Sequence, residues 1–138
     1  MNIKENKNFK EVKLSNKKIE IADLLKESLT GHLKKDRLER FNMAVKLNKH
    51  SDGTDASIDR IFYVNKGHPD GPELHCVTKK GILFIINEKK YENKEKCFIT
   101  VLLARPNQVI RLYEECNLVI PKSILNGAKK NLKNKLNK

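Results

Sequence analysis

ELHCVTKKGILFIIN, residues 73–87, is the stretch on which the fold turns. Two runs rich in strand-forming residues, 73–78 and 82–87, flank Lys79-Lys80-Gly81, and a glycine in so short a connection supplies the backbone freedom that a hairpin needs. Two antiparallel strands are therefore predicted here. Side chains alternate along a strand, so Leu74 and Cys76 fall on one face and Glu73, His75 and Val77 on the other.

Outward from this hairpin the pattern continues. Residues 58–65 form a short apolar run, and 67–72, with two glycines and two prolines, can be neither helix nor central strand. Residues 97–104 read as a further strand, and 108–113 as another after an Arg105-Pro106-Asn107 corner. Upstream, Ile19, Leu24, Leu25, Leu29, Leu33, Leu38, Phe41, Val45 and Leu47 recur at spacings of three and four, the stripe of one or two amphipathic helices. The cluster at 50–55 closes that helical half. Downstream, residues 121–136 place Ile124, Leu125, Ala128, Leu132 and Leu136 on a stripe among lysines, which predicts a basic C-terminal helix.

The expected architecture is α+β, with N-terminal helices packed on a four- to five-stranded antiparallel sheet and a basic helix at the end. Residues 1–15 are polar and basic and are expected to form a flexible arm. Residues 16–138 make one domain, with a helical part at 16–50, a sheet part at 58–113 and the terminal helix at 121–136. A chain of 138 residues holds one core of this kind, not two.

Charge narrows the function. With 29 Lys and Arg against 17 Asp and Glu, the net charge is +12, and a surplus of that size draws polyanions and releases their counterions. Nucleic acid is the leading partner; a solubilising lysine coat is the bland alternative. The three cysteines form no CxxC pair and are odd in number, which disfavours a disulfide framework or a zinc site and suits a reducing cytosol as the place of action. No run approaches the roughly 20 apolar residues that cross a bilayer, so no membrane partner is expected.

Strand parity then suggests a site. If the wholly apolar faces meet the helices, the opposite face of the sheet collects His75, Thr100, Arg111 and Tyr113. An imidazole moves protons near neutral pH and a guanidinium stabilises charge growing on phosphate, so together they can handle a phosphodiester. His68, in the loop before the same strand, is a second candidate imidazole. RNA needs no cofactor or metal for this, since its own 2′-hydroxyl can attack. Each residue alone is also an ordinary strand or loop residue; their convergence carries the argument. Zinc-protease His spacing, a phosphate-binding glycine loop before Lys-Ser or Lys-Thr, and a GxSxG turn are all absent from the sequence.

The run HPDGPELHCVTKKGILFIIN, residues 68–87, followed by FITVLLARPNQVIRLY, residues 98–113, resembles the toxin domains of bacterial conflict systems. It is similar to the ribonuclease superfamily that joins barnase, EndoU, colicin-type tRNases and RelE. The resemblance covers roughly residues 58–113 and departs from the pattern at Asn107 and Leu112. It implies a metal-independent endoribonuclease toxin acting on RNA, tRNA foremost, by 2′-hydroxyl attack. It further implies His75 as general base or acid, Thr100 as a phosphate or 2′-hydroxyl contact and Arg111 as transition-state cation, with Arg105 and Gln108 positioning substrate. Lys79 and Lys80 are candidates for substrate phosphates. The resemblance also implies a cognate immunity or antitoxin protein, and a toxin of this class can be delivered as the C-terminal part of a larger secreted protein. A non-catalytic nucleic-acid-binding module, or a phage or conflict-system protein that binds an acidic partner, are the competing expectations.

Overall fold

The computed structural model describes residues 9–12, 35–67, 69, 71–93, 98–103 and 106–131; for 35–38, 40, 41 and 98–103 only the backbone is described. Among the described residues nine elements follow in order: β1 (Phe9–Val12), α1 (Lys35–Leu47), β2 (Ile58–Val64), β3 (Glu73–Thr78), β4 (Ile82–Asn87), α2 (Glu88–Glu92), β5 (Phe98–Leu103), α3 (Pro106–Glu115) and α4 (Lys122–Asn131). The strands form one five-stranded sheet in the order β1-β2-β3-β4-β5, antiparallel throughout. The fold is thus α+β.

The β3–β4 hairpin forms where the sequence places it. Gly81 takes φ +77 and its N–H donates to the Thr78 carbonyl at 3.0 Å. The Thr78 hydroxyl oxygen accepts from the backbone N–H of Lys80 at 3.3 Å and of Ile82 at 3.2 Å, which tightens the turn. Parity holds in β3. Leu74 and Cys76 join Ile61, Ile82, Phe84 and Ile86 in a cluster against Ala44 and Val45 of α1. On the opposite face Phe62, Val64, Val77, Leu83 and Ile85 pack against Val109, Leu112 and Tyr113 of α3 and Ile124 and Ala128 of α4. Both faces of the sheet are covered. Burying side chains of this size contributes about 1.5–3 kcal/mol each, so each face is a core in its own right.

Two expectations are corrected by this arrangement. Residues 108–113, read as a strand, lie within α3. Pro106 is its first residue, where a missing N–H costs nothing and the ring's fixed φ suits a helix. Val109, Leu112 and Tyr113 then share one face at helical spacing and are the buried residues of that helix. The face expected to lie open is also covered, by α3 and α4, so Arg111 and Tyr113 reach it from a helix above and not from the sheet itself.

Phe9–Val12 lies inside the stretch expected to be a loose arm, yet it is an edge strand paired with β2 and tied by an ion pair between Glu11 and Arg60. The short helix α2 was unforeseen. Its N-cap is Asn87, whose side-chain oxygen accepts from the Lys90 N–H at 2.9 Å, the usual way to satisfy a free helical donor. The helical stripe expected over 16–34 and the end of the C-terminal helix at 132–136 lie outside the described residues. Among the described residues, no helix is long and apolar enough to cross a membrane.

Candidate functional site

His75 stands mid-strand in β3, paired across the ladder with Phe62 on one side and Ile85 on the other. Its position on the α3 face follows from the parity that sends Cys76 to the other cluster. The residue is only 6% exposed, and its Nε2 lies 3.0 Å from Glu73 Oε1. Two residues apart on one strand, they share a face. An ionised carboxylate can only accept, so in this contact Nε2 carries the proton and a neutral ring keeps Nδ1 as the atom able to take another.

A cavity of about 210 Å³ lies between the sheet and α3, and His75 is part of its wall. Its apolar lining is Phe9, Val64, Leu83, Ile85 and Leu112; Lys66, Gln108 and Arg111 supply the other polar groups. Lys66, Gln108 and Arg111 are exposed, whereas His75, Val64 and Ile85 are buried, so the imidazole belongs to the floor and the cations to the rim. Gln108 and Arg111, three residues apart on α3, occupy the same side of that helix. The guanidinium carbon of Arg111 lies 5.2 Å from the centroid of the Phe9 ring, within range of a cation–π contact.

Of the residues singled out from sequence, His75, Gln108 and Arg111 therefore meet at one cavity. Tyr113 does not join them. Its ring meets Phe62 edge-on, with centroids 5.0 Å apart, and its hydroxyl donates to Asp59 Oδ2 at 2.8 Å. Burial, and then that hydrogen bond, push the phenol's pKa well above its ordinary value, which makes it a poor proton donor near neutrality. Lys79 and Lys80 sit on the β3–β4 turn, toward the other end of the strands from Lys66, which follows Val64, the β2 partner of Glu73. The backbone of Thr100 pairs with Ile85, itself the partner of His75; its side chain, together with His68 and Arg105, lies outside the described residues.

Three residues of the site were missed from sequence: Lys66 and Phe9, which line the cavity, and Glu73, which contacts His75. Glu73 was placed on the right face but given no role. Lys66 looked like one more loop lysine, and Phe9 gave no signal, because a four-residue strand has too few positions for alternation to show.

Beside the cavity runs a chain of charged groups that fixes β1 and α3 to β2. Arg60 pairs with Glu11, and its Nε lies 3.9 Å from Asp59 Oδ2, the oxygen that also accepts from Tyr113. The hydrogen bond to Glu11 pushes the Arg60 pKa up further. Phe9 and Arg111 thus come to the cavity from two elements held by one network. No protein-family model, no curated protein and no solved structure matches the chain.

Proposed function

We propose that the chain is a metal-independent endoribonuclease whose active site is the cavity between β3 and α3. The observation that carries this reading is the meeting of a carboxylate-held imidazole, His75, with Arg111 and Gln108 at one cavity. The net charge of +12 and the resemblance of roughly residues 58–113 to toxin ribonucleases support it from the side of the sequence.

In the proposed reaction His75 accepts the proton of a 2′-hydroxyl as that oxygen attacks the adjacent phosphorus. The P–O5′ bond breaks, and the 5′-oxygen takes a proton from water at the cavity mouth, giving a 2′,3′-cyclic phosphate and a 5′-hydroxyl; the proton held by His75 returns to solvent. Arg111 stabilises the charge that builds on the non-bridging oxygens. Gln108 and Lys66 orient the phosphate, and Glu73 holds the ring in one tautomer and one orientation. Effects of a base and of an oriented cation are each worth roughly 10²–10⁴ in rate. An acidic immunity protein over Lys66 and Arg111 would block such a site.

Incubation with total tRNA in EDTA tests the reaction. Fragments ending in a 2′,3′-cyclic phosphate and beginning with a 5′-hydroxyl are expected. Intact RNA, or fragments with 3′-hydroxyl ends, would overturn it.

A further inference from the structure

The cavity uses little of the chain's positive charge. Residues 74–87 carry Lys79 and Lys80, and residues 116–138 carry Lys122, Lys129, Lys130, Lys133, Lys135 and Lys138, with no Asp or Glu in either segment. Most of the +12 surplus thus resides on two segments distant in sequence.

The fold joins the turn to the described part of the second segment, residues 122–131. Gly127 of α4 comes so close to the β3–β4 turn that a Cβ there would lie 2.5 Å from the Lys80 carbonyl oxygen, and a Cβ on Gly81 would lie 2.8 Å from the backbone nitrogen of Ala128. The Asn131 side-chain amide donates to the Gly81 carbonyl at 3.1 Å. Backbone contact of this closeness needs glycine on both sides, and it fixes the turn against the helix. Lys79, Lys122, Lys129 and Lys130 are exposed and Lys80 is half-buried.

We propose that the β3–β4 turn and α4 form a docking surface for the phosphate backbone of a nucleic acid, separate from the cavity. Lysines are point charges on flexible stems, suited to phosphates at any sequence and giving no base readout. The surface therefore supplies affinity and salt dependence, and it stands whether or not the cavity cleaves RNA.

The test measures binding of the full chain to labelled tRNA and to a DNA duplex across a salt series, in a His75→Ala background that keeps RNA intact. The triple variant Lys79→Ala, Lys122→Ala, Lys129→Ala is expected to bind both about 10–100-fold more weakly at low salt. Its slope of log affinity against log salt should fall by about 2–3, with an unchanged melting temperature. The ratio between the two arms identifies which nucleic acid is preferred. A triple variant with the parent slope and affinity would overturn the proposal. So would a poly-glutamate competitor that displaces tRNA as well as unlabelled tRNA does, since the surface would then serve an acidic protein. The same three substitutions on the chain that retains His75 are expected to leave cleavage at saturating tRNA unchanged, which separates failure of this proposal from failure of the catalytic one.

Discussion

The Arg111 guanidinium rests over the Phe9 ring, 5.2 Å from its centroid, so a residue from the N-terminal edge strand holds a cation that α3 delivers. A free arginine side chain samples many rotamers, and a face of aromatic carbon behind it favours those that keep the charge at the cavity rim.

Phe9→Ala therefore loosens Arg111 without removing it. Cleavage is expected to fall by roughly 10- to 100-fold, since small misplacements of a catalytic group are felt on that scale, with a stability loss of about 1–3 kcal/mol from the lost cation–π contact and the lost packing of the half-buried ring. Phe9→Tyr keeps the ring and should keep the rate. Initial rates for the three proteins check this; equal rates for wild type and Phe9→Ala would show that the contact positions nothing.

Tyr113→Phe removes a single hydroxyl, the one bonded to Asp59 at 2.8 Å. Leaving that carboxylate without its donor should cost about 1–2 kcal/mol in denaturant unfolding. The pH dependence has a definite sign. The folded phenol titrates above the ordinary value of 10.0, so above that pH the unfolded chain releases a proton that the folded one retains, and unfolding is favoured as pH rises. The advantage of wild type over Tyr113→Phe is thus full below pH 10 and shrinks above it; an advantage that grows with pH would refute the assignment.

Gly127→Ala sets two effects against each other. Alanine in a helix interior is favoured over glycine by about 1 kcal/mol, but here its Cβ would meet the Lys80 carbonyl oxygen at 2.5 Å. Displaced backbone of this kind costs about 1–3 kcal/mol, so net destabilisation is expected in thermal melts. A stabilised variant would mean that the turn and α4 are not in contact.

The conformation of residues 108–113 can be tested by a pair of substitutions. Were they a strand, Ile110 and Leu112 would face one way and Val109 the other. In α3, Val109 is fully buried while Ile110 is half-buried. Val109→Ala should cost about 2 kcal/mol, more than Ile110→Ala, although the latter deletes the larger side chain. The opposite ranking in chemical denaturation would restore the strand.

Much of the fold was legible because its signals are local. Strands β3 and β4 follow from two runs of strand-forming residues, the turn from Gly81 between them, and the opposite placement of Cys76 and His75 from period-two alternation, all within fifteen consecutive residues. Helix α3 was missed because six residues of mixed polarity, Gln108 to Tyr113, satisfy both periods, and the deciding mark was Pro106 at the head of the segment. The covered second face also had a signal. Ile82-Leu83-Phe84-Ile85-Ile86 is apolar without interruption, as a strand buried on both sides must be, and all of β4 is buried. Phe9 could not be found this way, since β1 is placed by partners far along the chain: Phe9 pairs with Val64 and Glu11 with Arg60. The site residues His75 and Arg111 did come together, but by a helix folding back over the sheet and not by sharing it.

The most direct test of the account compares tRNA cleavage in EDTA by wild type, His75→Ala and Arg111→Ala, with tRNA affinity and melting temperature measured on the same preparations. Each variant is predicted to lose roughly 10²–10⁴ in rate while staying folded and still binding tRNA. Equal cleavage by all three proteins would contradict the assignment of the cavity as the active site.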